Sequence, residues 1–146
     1  MISKRNAIWS WAGMVLALVL LSGCGDGRPP MTNVTGTVTY KNAPLKFGAV
    51  FFDPVSNDAL YVPRGVIKSD GTFEMETQNW KGAPLGEYRI RVNCFESQDP
   101  NFRQKEGGEP VRGKSLIPPK YSQSQKSGLT VTVTKGMAPL ELKLED

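Results

Sequence analysis

GEYRIRVNC, residues 86–94, alternates between apolar and polar side chains along its whole length. In an extended chain successive side chains point to opposite faces, so a period of two separates a buried face from a solvated one. The predicted inward residues are Tyr88, Ile90, Val92 and Cys94, and the predicted outward residues are Arg89, Arg91 and Asn93. The stretch is therefore predicted to be one strand of an antiparallel sheet with one wet face.

Six further stretches carry strand signals of the same kind. They read VTGTVTY at 34–40, FGAVFFD at 47–53, YVPRGVIK at 61–68, TFEME at 72–76, GLTVTVT at 128–134 and PLELKLE at 139–145. Pro63 lacks an amide donor, so its stretch is expected at a sheet edge or to begin irregularly. About seven short strands with turns between them predict an all-β fold, a single antiparallel β-sandwich over residues 33–146.

The composition argues against several classes of function. Histidine is absent from the 146 residues, which removes the commonest general base and the commonest zinc ligand. We therefore expect no enzyme, no metal and no cofactor. The formal net charge is +4, of which Lys4 and Arg5 supply two units, so +2 remains for the rest of the chain. So small a surplus predicts no nucleic-acid partner.

Residues 1–23 have the order of a secretory signal peptide. Two basic residues precede an apolar segment at 7–21, and small residues follow it. A transmembrane helix is the alternative interpretation. A bilayer core needs about 20 apolar residues, however, and Ser10 interrupts this shorter segment, so secretion is favoured.

Leu21-Ser22-Gly23-Cys24 resembles the lipobox of bacterial lipoproteins, at its usual place directly after an apolar segment. The resemblance implies cleavage before Cys24, diacylglycerol on its sulfur, and a further acyl chain such as palmitate on the new amino group. It also implies a membrane-anchored protein of the cell envelope, with residues 24–32 as a tether. Gly25, rather than aspartate, follows the cysteine, which favours the outer membrane where the organism has one. Two or more acyl chains hold a small domain stably on a membrane.

The order of motifs after residue 33 resembles that of small bacterial lipoproteins with a transthyretin-like or carboxypeptidase regulatory-like domain. The motifs read VTGTVTYKNAPLKFGAVFF, GVIKSDGTFEM, GEYRIRV and SGLTVTVTKG. The resemblance implies an immunoglobulin-like or prealbumin-like β-sandwich. The transthyretin-related hydrolase of purine metabolism relies on active-site histidines, which this chain lacks, so that activity is not carried over.

A polar insertion at about 96–119 is long for a loop of a compact domain, and such loops are either binding loops or disordered. Aromatic and basic residues in and beside it are candidates for binding an envelope protein or a polysaccharide: Phe102, Arg103, Lys105, Arg112, Lys114 and Tyr121. The alternative is a solvated, mobile loop. Trp80, in another predicted loop, either stacks on a sugar or caps the open end of the core.

Cys94 and four aspartates have both a functional and a structural interpretation. Cys94 is either a small core residue or half of an intermolecular disulfide, since Cys24 is assigned to lipid. The aspartates are candidates for calcium binding, although they form no Asp-x-Asp cluster, and we expect no metal there. They are Asp53, Asp58, Asp70 and Asp99.

These features predict a lipid-anchored, non-catalytic module of the cell envelope. Its expected partners are the membrane, through the lipid at Cys24, and another envelope protein or a polysaccharide, through the 96–119 loop. A purely structural accessory lipoprotein without a specific ligand is the alternative function.

Overall fold

The computed structural model describes residues 27–56, 60–103, 107, 109 and 112–146. Within these ranges the chain forms strands and two 3₁₀ helices, Glu96–Gln98 and Pro119–Ser122. The strands are β1 (Met31–Thr32), β2 (Thr35–Tyr40), β3 (Ala43–Pro44), β4 (Ala49–Pro54), β5 (Arg64–Val66), β6 (Thr72–Thr77), β7 (Trp80–Lys81), β8 (Ala83–Pro84), β9 (Gly86–Asn93), β10 (Thr130–Val133) and β11 (Leu140–Leu144). The predicted all-β class is confirmed.

Seven of these strands form the main path of one large sheet, in the order β10-β9-β4-β5-β6-β2-β11. Each of them falls in one of the seven stretches identified by their strand signals, although β4 and β6 each extend one residue beyond it, to Pro54 and Thr77. The short strands β3 and β7 pair with β2 and β6, and β1 pairs with β8 as a separate two-stranded sheet. The large sheet curls over a single core, which is consistent with a β-sandwich.

One strand pair departs from the predicted antiparallel arrangement. β2 and β11 run parallel, with Gly36 opposite Leu140 and Tyr40 opposite Leu144. The other pairs between the strands above are antiparallel. A tight turn imposes antiparallel pairing, whereas strands that are distant in sequence can pair in either direction. The turn signals therefore carry no information about the contact between β2 and β11.

Alternate side chains of the main strands line the core, among them the predicted inward residues of the 86–94 stretch. Those that are buried include Val38, Val50, Phe52, Phe73, Met75, Tyr88, Ile90, Val92, Cys94, Val131, Val133, Leu142 and Leu144. The hydroxyl of Tyr88 donates a hydrogen bond of 2.9 Å to the carbonyl of Pro84, so its polar atom has a partner inside the protein. Burial of apolar surface contributes about 25 cal/mol per Å², which makes this core the main source of stability.

Pro63 stands just before β5, which lies inside the sheet path between β4 and β6. The edge position, one of two expectations for this stretch, is therefore wrong. The other expectation, an irregular beginning, fits the structure because Pro63 lies outside the strand. Its carbonyl accepts a 3.0 Å hydrogen bond from the amide of Phe52, so the proline takes part in the pairing as an acceptor alone.

The strand register defines two ends of the domain. β8 directly precedes β9 and holds β1, with Met31 opposite Pro84, so the described chain begins beside the start of β9. The insertion at 96–119 begins where β9 finishes. We call these the β1 end and the loop end. An extended strand of 8 residues separates them by roughly 25 Å.

The predicted boundary between tether and domain, after residue 32, lies too late in the chain. Met31 and Thr32 form β1, and the carbonyl of Pro30 accepts a 3.1 Å hydrogen bond from the amide of Leu85. The hydroxyl of Thr32 accepts a bond of 3.1 Å from the amide of Gly136. A two-residue pairing is too short to produce a period of two in the sequence, so the pattern does not reveal it.

The predicted signal peptide at 1–23 and the predicted lipid site at Cys24 lie outside the described residues. In the part of the chain that is described, no helix has the length and apolar character needed to cross a bilayer.

Candidate functional site

The 96–119 insertion leaves the sheet as an ordered stem. Phe95 and Ser115 form an antiparallel bridge. The amide of Glu96 donates to the carbonyl of Lys114 over 3.0 Å, so the two sides of the loop are joined at its base. The base of the insertion is therefore paired, because hydrogen bonds between the chain on either side continue the pairing beyond β9.

Side chains reinforce this stem. The carboxylate of Glu96 accepts a hydrogen bond of 3.0 Å from the amide of Lys114. The guanidinium of Arg112 lies 5.1 Å from the centre of the Phe95 ring, within the range of a cation–π contact. Gly113 packs closely against Glu96, since a Cβ atom at Gly113 would be 2.8 Å from the Cβ of Glu96.

Beyond the stem, a turn at Asp99 presents the predicted binding residues Phe102 and Arg103. The Asp99 carboxylate accepts a 2.8 Å hydrogen bond from the amide of Asn101, and its carbonyl accepts one of 2.9 Å from the amide of Phe102. Phe102 and Arg103 are both exposed. They share the loop end with the exposed Arg112 and Lys114 of the stem, whereas Lys105, another predicted binding residue, lies outside the described ranges.

Tyr121 does not belong to this surface, which corrects its assignment as a partner-binding residue. Its side chain is 5% exposed and packs in the core. Its hydroxyl donates to the carbonyl of Glu145 over 3.0 Å and accepts from the amide of Glu145 over 2.9 Å. The 3₁₀ helix Pro119–Ser122 turns the ring inward, so Tyr121 joins the end of the insertion to the C-terminal strand region.

Trp80 is also separated from the predicted loop site, because it lies at the β1 end. It belongs to β7, where it pairs with Thr77, and not to a loop as predicted. Its ring is half-buried and meets the ring of Tyr61 edge-on, with 6.0 Å between centroids. The guanidinium of Arg28 lies 4.7 Å from the centre of the Trp80 ring. These contacts place the indole at the surface beside the start of the described chain.

The β1 end also carries an apolar cleft that the sequence did not reveal. It is lined by Gly27, Pro29, Leu60, Tyr61, Pro84, Leu85 and Tyr88. Leu60 is 86% exposed and Leu85 is 40% exposed. The only signal in the sequence was a leucine in each of two segments between strands. Single exposed apolar residues are common in loops, so these leucines did not stand out.

The described aspartates of the calcium hypothesis each have local partners. The Asp53 carboxylate accepts a hydrogen bond of 2.9 Å from Nε of Arg91 on the neighbouring strand. Asp70 accepts bonds from the amide and the hydroxyl of Thr72, at 2.9 and 2.6 Å, and these bonds lower its pKa. Asp99 forms the turn described above, and Asp58 lies outside the described ranges. No group of three or more carboxylate, thiol or imidazole side chains converges as a metal site in the described part of the chain.

Cys94 is a buried core residue, which was the first of the two interpretations of this cysteine. Its side chain is 2% exposed. Burial, together with the negative charge of Asp99, raises the pKa of its thiol to about 11. The reactive thiolate is therefore scarce at neutral pH, and the sulfur is inaccessible to a second chain. These properties argue against the intermolecular disulfide.

The outer face of β5 and β6 forms a further concave surface. It is lined by Val62, Arg64, Val66, Lys68, Glu74, Glu76 and Gln78. Val62 and Val66 are about half exposed, at 49% and 59%. Basic side chains on one strand face acidic side chains on the next, with Arg64 opposite Glu76. Charges of both signs give this surface no preference for a partner of one charge.

The loop end has the chemistry of a binding surface. Guanidinium and ammonium groups donate hydrogen bonds to carboxylate and hydroxyl oxygens, and an exposed aromatic ring stacks on sugar or peptide groups. Arg103, Arg112 and Lys114 supply the donors, and Phe102 supplies the ring. No family model, curated protein or solved structure matches this chain.

Proposed function

We propose that this chain is a lipid-anchored, non-catalytic module of the bacterial cell envelope that binds another envelope protein or a polysaccharide through its 96–119 loop. The proposal includes removal of residues 1–23, attachment of lipid to Cys24, and an immunoglobulin-like or prealbumin-like arrangement of the sandwich. The observation that carries it is the position of β1 and of the 96–119 stem at opposite ends of β9.

The short connection between Cys24 and the domain gives this geometry its meaning. The carbonyl of Pro30 accepts a hydrogen bond from the amide of Leu85, so the chain is already attached to the domain at Pro30, the sixth residue after Cys24. Six residues span at most about 20 Å when fully extended. A lipid at Cys24 therefore keeps the β1 end near the membrane and directs the loop end away from it, toward other components of the envelope.

The chemistry of the loop end favours a polar partner rich in hydrogen-bonding groups, with no preference for one sign of charge, because residues 96–119 contain four basic and four acidic side chains. Arg103, Arg112 and Lys114 are exposed there, and Phe102 and Leu116 provide apolar contacts with 37% and 44% of their surface accessible. A few aromatic and arginine residues commonly provide most of the energy of an interface. A polysaccharide or a polar protein face would meet these requirements.

The test is crosslinking in cells that produce the full-length chain, followed by purification and mass spectrometry. The double variant Arg103→Ala/Lys114→Ala removes two loop cations. The matched control, Arg64→Ala/Lys126→Ala, removes two exposed cations from other surfaces. We expect the loop variant to lose its crosslinked partner and the control to retain it.

Three outcomes would contradict the proposal. Equal crosslinking of the wild type and both variants would show that these loop cations do not bind the partner, and the absence of any specific crosslinked partner would favour the purely structural accessory. An intact mass in which Cys24 carries no lipid, or in which residues 1–23 remain attached, would overturn the anchored placement itself.

A further inference from the structure

We propose that the β1 end of the domain lies directly on the lipid surface, so that Leu60, Trp80 and Leu85 contact the membrane interface. The inference rests on the proposed function, because the contact depends on lipid at Cys24. It goes further by assigning the membrane contact to a folded surface of the domain in addition to the acyl chains. We call this surface the membrane patch, formed by Arg28, Leu60, Tyr61, Trp80 and Leu85.

The first argument is the apolar exposure of the membrane patch. Leu60 is 86% exposed and Leu85 is 40% exposed, and they line one cleft with Tyr61 and Pro29. Exposed leucines that cluster at a single site leave apolar area in water that a bilayer interface would cover.

The second argument is the kind of side chains that surround these leucines. Tryptophan and tyrosine concentrate at membrane–water interfaces, where one part of the ring is apolar and another carries a polar atom. Trp80 and Tyr61 contact each other edge-on with 6.0 Å between ring centroids. Arg28 stacks on Trp80 at 4.7 Å, and the exposed Lys81 adjoins it in the chain. These cations complement anionic headgroups, although the exposed Glu87 near the start of β9 reduces that complementarity.

The third argument is where the described chain begins. Cys24 precedes Arg28 by four residues, which extend at most about 14 Å. Arg28 is itself part of the membrane patch through its contact with Trp80. A lipid on Cys24 would therefore bring the bilayer to this surface, because so short a connection leaves little room for another macromolecule between them.

The loop end provides the internal comparison. Leu116 is 44% exposed, much like Leu85, but it follows Ser115 in the loop stem and lies at the other end of β9. Leu116 and Leu85 are therefore similarly exposed, but a lipid at Cys24 would bring the bilayer only to Leu85. The two leucines are therefore matched probes of position.

The experiment uses the full-length chain produced in a bacterium, purified from membranes and reconstituted into vesicles of phosphatidylcholine and phosphatidylglycerol. The chain has three tryptophans, Trp9, Trp11 and Trp80, so removal of residues 1–23 leaves Trp80 as the sole tryptophan. Brominated acyl chains quench tryptophan emission at short range. Because an interfacial side chain lies within about 5–10 Å of the acyl boundary, we expect roughly a twofold loss of emission in brominated vesicles.

Matched variants distinguish contact by the membrane patch from tethering alone. Leu85→Glu should reduce the quenching, and Leu116→Glu should leave it unchanged. Leu60→Glu gives a second test of the membrane patch, because a side chain with 86% exposure contributes little packing that its replacement would disturb. Moving the fluorophore with Trp80→Phe/Phe102→Trp should abolish quenching, since Phe102 lies at the loop end.

Lipid analysis and flotation of the same samples separate the two proposals. A chain that carries lipid, floats with the vesicles and shows no quenching of Trp80 would overturn the membrane patch and leave the proposed function intact. Equal quenching in Leu85→Glu, Leu60→Glu and Leu116→Glu would also overturn the membrane patch. A chain with a bare Cys24 would overturn both.

Discussion

The two ends of the domain are attached to the same strand in different ways. At the β1 end, main-chain hydrogen bonds hold short segments against the sheet, and β1, β7 and β8 are all paired strands. At the loop end, a narrow stem of a few hydrogen bonds carries the long insertion, and the Glu96 carboxylate provides one of them. The β1 end is therefore expected to open only with the domain, whereas the loop can open while the core remains folded.

The largest predicted effect comes from the strand that joins both ends. Ile90 lies in the middle of β9 and is fully buried. Replacement of Ile90 by Ala leaves a cavity and should lower the free energy of unfolding by about 2–5 kcal/mol. Urea unfolding gives this value. Hydrogen exchange should show that the β1 end, which is expected to open only with the domain, loses protection to the same extent, whereas the loop stem, which opens locally, loses less. Unchanged protection at the β1 end would contradict this expectation.

A smaller effect is expected from Gly82, which holds the β1 end in place. Its φ is +96°, and a Cβ atom would lie 2.2 Å from the carbonyl oxygen of Thr32. Gly82→Ala should therefore lower the free energy of unfolding by about 1–3 kcal/mol, because it adds a steric clash to an unfavourable backbone conformation. Urea unfolding measures the loss, with Gly136→Ala as the matched control.

Gly136 lies at the same end with a φ of +69° and has open space around the position of a Cβ atom. Its replacement carries the backbone cost alone. Equal losses in the two variants would show that contact with Thr32 has no role in holding β1.

The sequence predicted the seven main strands because each buries alternate side chains, as Tyr88 and Ile90 do in β9. The ends were harder to predict, because their pairing leaves no comparable period. Met31–Thr32 and Trp80–Lys81 are strands of two residues, and neither can display alternation. Their partners are backbone groups, which any side chain permits, so sequence composition says little about them.

The candidate binding site was predicted only in part, because the sequence reveals which residues share a segment but not which long-range contacts they make. Phe102, Arg103, Arg112 and Lys114 belong to one polar segment, and the structure brings them to one end of the domain. Tyr121 follows the same segment but is buried, because the 3₁₀ helix at Pro119–Ser122 turns its ring into the core. The buried ring is held there by contact with Glu145, which is 24 residues away in the sequence. Such long-range contacts are not visible in a local pattern.

A further prediction concerns the junction of β9 and the loop stem, where burial raises the pKa of the Cys94 thiol from its ordinary value of 9.0 to about 11. As the pH rises, the thiol of the unfolded chain loses its proton before the thiol of the folded chain does. The contribution of the protonated thiol to folding stability is therefore complete below pH 9 and is lost as the pH rises from 9 to 11. Near pH 10 the loss should be about 1 kcal/mol. The measurement is urea unfolding at neutral and alkaline pH.

Cys94→Ala provides the control for this pH dependence, because other groups also titrate in that range. The variant should be less stable at neutral pH, but its additional loss on alkalisation should be smaller than in the wild type. An identical pH dependence in both proteins would show that the thiol does not contribute to it.

The smallest effect on global stability is expected from Glu96→Ala in the loop stem. The Glu96 carboxylate accepts the Lys114 amide at 3.0 Å in an exposed setting, so its loss should cost about 0.5–1 kcal/mol or less. Exchange of the Lys114 amide should nevertheless accelerate, because the stem opens without the core. Glu141→Ala, at an exposed carboxylate 3.7 Å from Lys143, is the control and should leave this exchange unchanged. A stem that opened only with global unfolding would remove the difference between the two ends and with it the reason to treat the loop as an adaptable surface.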